Sequence, residues 1–323
     1  MIAADRRPDT AVERSGATTD GLPAVTAVVP THRRPELMRQ AVQSIVDQTY
    51  AGQIEIIVVF DACEPDLPPV ETGPDRTLRA VSNERVRGLA GARNTGIVEA
   101  SHDFVAFLDD DDHWMPGKLA AQMAVFAAHP EVGLVGTAMQ VDDGRTIHQR
   151  PVPLTLVTHD DLVRDRIAGL HSSSFVFRRQ VLVERVGMID ESLPGAYGED
   201  YDVLLTTSQL APIRLVNEPL VSVRWSGQSF FYGKWAQYAE GLTYLLDKHT
   251  ELRTDPAALA RMSSQIGFAL AAAGQRKAAR TWLRQALRLQ RLNVRAWLGL
   301  LISFRLLSAD AIARVANLVG KGI

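Results

Sequence analysis

Short apolar, β-rich runs alternate with helical stretches through the first third of the chain, and this alternation restricts the fold more than any other feature. Val25 to Val29 (VTAVV) reads as a strand ending at Pro30. Ile54 to Phe60 (IEIIVVF) reads as a second, Leu78 to Val81 as a third and Phe104 to Leu108 (FVAFL) as a fourth. Helices are predicted over 35–49 and 91–100; in the first, Leu37, Ala41, Ile45 and Val46 recur at helical spacing behind a first-turn Pro35. Strands alternating with helices pair mostly in parallel and are covered on both faces, which makes the fold class α/β. Ligands of such sheets sit at the carboxyl ends of the strands. Thr31, Asp61 and Asp109 each follow a strand directly, so they are expected to converge on one sheet edge.

Further along, the pattern predicts a helix over 117–128, a strand from Val132 to Val141, and another from Ser172 to Phe177. A short helix from Gln180 to Val186 and a longer one from Tyr201 to Leu210 follow. Ile213 to Trp225 reads as a strand pair broken near Asn217, and from Trp235 onward the pattern is helical only. The single cysteine, Cys63, excludes an internal disulfide framework and a multi-cysteine zinc site, and it suits a reducing cytosol. No run of 18 uncharged apolar residues predicts a membrane-spanning helix. Residues 1–22 are small and polar, without the apolar core of a secretory signal, and are expected to form a disordered tail. The expected location is cytoplasmic, at most peripheral to the inner face of the membrane.

Asp109, Asp110, Asp111 and Asp112 form the most informative run. A solvated turn would also tolerate four acids. This run, however, leaves a strongly apolar strand and is followed by His113, Trp114 and Pro116. Like charges this close repel unless a cation neutralises them, and hard carboxylate oxygens suit Mg²⁺ or Mn²⁺. VVPTHRRPELMRQAVQSIVDQTY, RGLAGARNTGI, FLDDDDHWMPGKL and GEDYD, in this order, resemble the blocks of family 2 glycosyltransferases with the GT-A fold, over roughly Ala24 to Arg224.

The resemblance implies a GT-A nucleotide-diphospho-sugar transferase domain over 23–228, a mixed, mostly parallel sheet flanked by helices, with a helical extension over 229–323. It implies an inverting transfer of a sugar from a UDP-, GDP- or dTDP-linked donor to a sugar, lipid-linked or small-molecule acceptor. Surface polysaccharide, glycolipid or natural-product assembly is the expected setting. By the same match Asp109 lies near the ribose, Asp111 and Asp112 hold the metal, and Asp110 joins the donor-binding set. Pro30, Thr31 and Arg34 fall in the first nucleotide-binding block, where Arg33 replaces the usual Asn. Asp61 aligns with the base-contacting acid, followed by Ala62-Cys63 instead of the usual small pair. Gly91 permits close backbone approach, and Arg93 can pair with phosphate or with Asp109. Glu199 and Asp200 match the acceptor-side pair, with Asp200 as the base that deprotonates the acceptor hydroxyl. Asp202 is equally well read as a first-turn helix acid. His171, Ser173 and Trp114 are assigned to the acceptor or donor-sugar side, His171 and Ser173 being equally compatible with a turn. Arg224 matches a position near the diphosphate, but the His that often follows as a metal ligand is missing from Arg224-Trp225-Ser226-Gly227. Trp225, Phe230, Phe231 and Tyr232 either pack against the helices or form an acceptor lid.

The net charge of -2 hides a split. Residues 251–323 carry 12 Lys/Arg and 3 Asp/Glu, and the remainder carries 23 and 34. Gly267, Leu270, Gly274, Ala279, Leu283 and Ala286 fit a tetratricopeptide-like helix pair that docks on the catalytic domain or on a second subunit of a homodimer. Arg276, Arg280, Arg284 and Arg288 form a helical stripe that suits a solvated face or peripheral contact with anionic lipid. Nucleic acid is not an expected partner, because aromatic residues do not interleave with the arginines. Two rival functions remain at this point: a metal-dependent nucleotidyltransferase, and a non-catalytic scaffold acting through the helical tail.

Overall fold

The computed structural model describes residues 21–67, 69–225 and 234–308. Its core is a mixed sheet. β1 (Val25–Thr31), β2 (Ile54–Phe60), β3 (Arg76–Ser82) and β4 (Phe104–Phe107) pair in parallel in the order β3-β2-β1-β4. Beyond β4 come β5 (His113–Trp114), β6 (Leu134–Asp142), β7 (Ile147–Arg150), β8 (Leu156–Val157), β9 (Val176–Arg178) and β10 (Ile213–Arg224). β9 runs antiparallel to both β4 and β6, joining the parallel group to the β6–β10 parallel pair. β5 closes the far edge on β10, while β7 pairs with β6 and β8 with β10.

Alternate residues of the central strands feed two cores, as a pleat covered on both faces requires. Ala27 and Val29 pack on α1 (Pro35–Val46) through Met38 and Ile45, and on α3 (Lys118–Ala128) through Leu119 and Phe126. Val28, Val59 and Phe107 face the other way, toward α2 (Leu89–Glu99) and α5 (Glu199–Leu210). α4 (His159–Arg164) begins with a capping box between Thr158 and Asp161. The helices α6 (Trp235–Lys248), α7 (Glu251–Thr254) and α8 (Pro256–Ala272) extend the α2–α5 core without a break, through Leu242, Leu245, Leu252, Met262 and Ile266. α9 (Arg276–Leu289) and α10 (Val294–Ser303) close a separate cluster over Phe268, Ala279, Leu283, Ala286 and Ile302. α8 and α9 form the expected helix hairpin, turning at Gly274 in the left-handed region (φ 79°).

Two local expectations are corrected. Ile213–Arg224 is one strand, not a broken pair; its register slips on both sides of Pro219, which has no N–H for the ladder. Ser172–Ser174 is a 3₁₀ turn, and the strand begins only at Val176. The Ser174 hydroxyl donates to the His171 carbonyl (2.7 Å), a local bond that competes with the ladder. Trp225 packs partly into the α1–α3 core. The expectations for residues 1–20, Phe230, Phe231 and Tyr232 lie outside the described residues.

Candidate active site

The parallel strands deliver Thr31, Asp61 and the Asp109–Asp112 run to one sheet edge, as the strand-end rule requires. The two turns that leave β1 and β2 contain non-glycine residues with positive φ, Arg33 (54°) and Ala62 (51°). Such conformations are uncommon outside glycine and concentrate at functional sites. Pro30, buried within β1, leads into the first of these turns.

The four aspartates have four different environments. Asp109 accepts from Arg93 Nη2 (2.5 Å), and its own N–H donates to Ser173 Oγ (3.1 Å). Burial alone would raise its pKa, but Arg93 and His171 outweigh that and hold it below the ordinary value. Asp110 turns inward, accepting from Thr31 Oγ1 (2.8 Å) and Arg34 Nη1 (3.2 Å). Burial pushes its carboxyl up to about 6. Asp111 faces Arg34 Nη1 at 2.9 Å, and burial followed by repulsion from Asp109 raises its pKa. Asp112 is 4% exposed and accepts from Ser173 Oγ (2.6 Å) and the Arg224 N–H (3.1 Å). No guanidinium or ammonium pairs with its carboxylate among the described residues; the nearest cationic candidate is His171 Nδ1, at 3.4 Å. Burial, only partly offset by His171, lifts the Asp112 carboxyl to about 7.

One atom each from Asp109, Asp112 and His171 lies within 4.8 Å of the others, a set that could hold a metal ion. The expected pair was Asp111 and Asp112; the side chains that converge are Asp112 with Asp109 and His171, while Asp111 turns to Arg34. Carboxylates plus an imidazole are donors that suit a divalent metal ion. A cleft of about 220 Å³ opens beside Asp111 and Asp112, lined also by Gln40, His113, Gln140 and Arg224. Arg224 reaches Gln40 Oε1 (3.0 Å) across its rim.

Arg93 joins the two halves of the site. It is 1% exposed and donates to Asp109, to Glu199 Oε1 (2.6 Å) and to Ser172 Oγ (2.9 Å). Burial works against its charge, but the two acids outweigh it and raise its pKa. Glu199 responds in the opposite sense, its pKa raised chiefly by burial against the pull of Arg93. Asp200, next in α5, pairs with Arg166 and accepts from its own helix at the Tyr201 N–H (2.7 Å). Asp202 stands apart from the site, tied to Lys248 at the end of α6 and to His249 just after it.

Three predicted positions support the site from behind. Trp114 is buried, and its Nε1 donates to the Ser173 carbonyl (2.7 Å), so it props the serine that holds Asp112. Gly91 sits inside α2, where an added Cβ would fall 1.8 Å from the Val86 carbonyl; the close approach it permits is to the chain's own backbone. Asp61 is nearly buried and accepts from Asn83 Nδ2 (2.7 Å) and the Gly88 N–H (3.0 Å). His32 Nδ1 lies 2.6 Å from the Asp61 carbonyl oxygen. Asn83, Arg166 and His32 were not anticipated. Asn83 follows β3 directly, so the strand-end rule would have found it; no sequence signal marks Arg166.

The mixed sheet, with carboxylates at the ends of its parallel strands and Arg93 joining them to Glu199, has the GT-A architecture. The Glycosyl transferase family 2 profile matches residues 26–186, and the chain belongs to that family. It is 27% identical over 203 residues to an uncharacterized glycosyltransferase of Haemophilus influenzae (61% of this chain, 66% of the relative). It is 24% identical over 193 residues to the UDP-Glc:alpha-D-GlcNAc-diphosphoundecaprenol beta-1,3-glucosyltransferase WfgD of Escherichia coli (60% of this chain, 73% of the relative). The fold is shared with a Pyrobaculum calidifontis mannosyltransferase solved with GDP-Man and Mn²⁺, at TM-score 0.54 and 21% identity over 90% of this chain and 83% of that one.

Proposed function

We propose that this glycosyltransferase transfers a sugar from a nucleoside-diphosphate donor to a hydroxyl of a lipid-linked acceptor, with inversion, in surface-polysaccharide assembly. The observation that carries this reading is the Arg93 bridge, whose guanidinium donates both to Asp109 at the sheet edge and to Glu199 beside Asp200. Relatives support the substrate classes: the Escherichia coli enzyme is named for UDP-Glc and a diphosphoundecaprenol acceptor, and the Pyrobaculum enzyme binds GDP-Man with Mn²⁺. In this reading the donor base is uracil, guanine or thymine, with uracil first because the Escherichia coli relative is named for UDP-Glc.

In this reading Pro30, Thr31, Arg34 and Asp61 shape the nucleoside pocket. Thr31 and Arg34 act partly by fixing Asp110, while Asp61 acts partly by fixing Asn83 and Gly88. Asp109 faces the ribose, Arg93 fixes it from behind, and Arg224 flanks the diphosphate. Asp112 and His171 would hold Mn²⁺ or Mg²⁺, and Asp111 would join them on leaving Arg34. A divalent ion bound there supplies Lewis-acid neutralisation of the departing diphosphate.

Asp200 removes the proton from the acceptor hydroxyl as that oxygen attacks the anomeric carbon. The bond from that carbon to the phosphate oxygen breaks, and its electron pair leaves with the nucleoside diphosphate. Arg166 must release the Asp200 oxygen it holds before that oxygen can take a proton, and Glu199 stays with Arg93 to orient the helix start. No second nucleophile is required, so no covalent intermediate forms. The 23–228 region carries this chemistry, and the basic helices beyond it carry peripheral membrane contact. The test is a panel of UDP-, GDP- and dTDP-sugars with Mn²⁺ or Mg²⁺, read by thermal shift, since a ligand of the native state raises the melting temperature by mass action. Stabilisation by at least one donor only when the metal is present is the expected result. No donor response with either metal would overturn the reading.

A further inference from the structure

We propose that the corner made by the end of α9, the loop after it and the start of α10 is a docking surface for an anionic lipid bilayer. The inference rests on the reading of a lipid-linked acceptor and adds where the chain would meet the membrane.

The inner faces of these helices are already satisfied. Ala279, Leu283 and Ala286 of α9 and Ala296 and Ile302 of α10 pack together. A second set of apolar residues is left on the outside of the same short stretch. Leu292 is 87% exposed, Val294 69% and Trp297 52%, and Leu289 is also exposed. Trp297 is not loose: its Nε1 donates to the Arg291 carbonyl (2.9 Å), which holds the ring over the corner. Scattered single apolar residues on a surface need no explanation, but four within nine residues form a patch that does.

The charge around the patch selects the partner. From Arg276 to Ser308 the chain has eight Lys/Arg and no Asp/Glu. Arg284, Arg288 and Arg291 are exposed, and Arg295 is half-buried. The helical stripe read from the sequence is corrected at one point. Arg280 turns to the end of α10, donating to the Ser303 carbonyl (2.9 Å) and stacking 4.2 Å from the Phe304 ring. Arg288, Arg291 and Arg295 fall in the same short stretch as Leu292 and Trp297. An exposed tryptophan and leucine with arginines beside them match the boundary of a bilayer, where apolar tips enter the acyl edge and cations meet anionic headgroups. Two copies meeting through this corner about a two-fold axis would set like charges against each other, which disfavours a second copy as the occupant.

The test is co-sedimentation of the full chain, without donor or acceptor, on phosphatidylcholine vesicles with and without phosphatidylglycerol. Because the assay contains no substrate, its failure and a failure of the donor panel are separate results. The wild type is expected to bind the phosphatidylglycerol vesicles and to be released by salt. Arg288→Gln/Arg291→Gln/Arg295→Gln should weaken the partition about a hundredfold, at about fivefold for each arginine. Leu292→Ser/Trp297→Ser should weaken it by about tenfold or more. Both variants change surface residues and should melt with the wild type, which is checked alongside. No binding by the wild type, equal binding to the uncharged vesicles, or wild-type binding by both variants overturns the proposal. So does a dimer in light scattering that falls to a monomer in the Leu292/Trp297 variant, which would assign the corner to a second copy.

Discussion

The acidic sheet edge and the basic helical corner invert each other. At the sheet edge, charged side chains are buried and polar partners are shared: Arg93 serves two acids and a serine, and Ser173 serves both Asp109 and Asp112. At the α9–α10 corner, apolar side chains are exposed and the arginines beside them are solvated. Buried charge is tolerated only where it is paired, so the edge is a network in which one loss strands several groups. Solvated charge contributes little to folding, so the corner is free to serve association. The comparison teaches where substitutions act: on chemistry and stability at the edge, on partition at the corner.

The largest effect should follow Arg93→Ala. It leaves the buried Glu199 and the half-buried Asp109 without their cation, and breaking a buried pair costs about 3–5 kcal/mol. Chemical denaturation should show that loss; a melt within about 1 kcal/mol of wild type would break the idea of a shared network. Asp200→Asn should come next in activity, lowering turnover about 10²–10⁴-fold while the metal-dependent thermal shift from the donor persists.

A smaller and more discriminating effect concerns the metal. Asp112→Asn should abolish the Mn²⁺-dependent shift. Comparing Asp111→Asn with His171→Ala then shows which neighbour completes the site. The Asp112 carboxyl lies at about 7, against an ordinary 3.8. Between those values the native state keeps a proton that the unfolded chain has lost, so the metal-free protein loses this contribution as pH rises through the window. A cation must displace the same proton. Mn²⁺ affinity, measured by calorimetry, is therefore expected to rise with pH up to about 7 and level off above it; a flat profile would remove Asp112 from the metal site. The smallest effect is expected for Arg284→Gln on the exposed face of α9, within about 0.5 kcal/mol of wild type in stability. A larger change there would blur the distinction between the two regions.

The sheet edge was largely legible from the chain. Apolar runs of strand length, each ending in a polar residue, placed Thr31, Asp61 and Asp109 together, because parallel strands share a carboxyl end. The family blocks added Arg93, Glu199 and Asp200. What stayed hidden depends on pairing across loops. Arg166, and the approach of the predicted His171 to Asp112, belong to the segment between α4 and β9, the strand that runs antiparallel to β4. Periodicity carries no information about what such a loop meets. The division of labour among the four aspartates was hidden for the same reason. Four identical side chains acquire different surroundings only when Arg34, Arg93 and Ser173 arrive from elsewhere in the chain. The helical extension was legible as helices. Its outward apolar corner was not, because the sequence pattern alone does not say which of two apolar faces finds a partner.

The most direct test of the central claim is the nucleotide product of the reaction. Purified protein is incubated with Mn²⁺, the donor that stabilises it and a diphosphoprenol-linked sugar, and the nucleotide is separated by chromatography. The account predicts nucleoside diphosphate in step with acceptor glycosylation, and about 10²–10⁴-fold less of both from Asp200→Asn. Release of pyrophosphate, or wild-type turnover by Asp200→Asn, would contradict it.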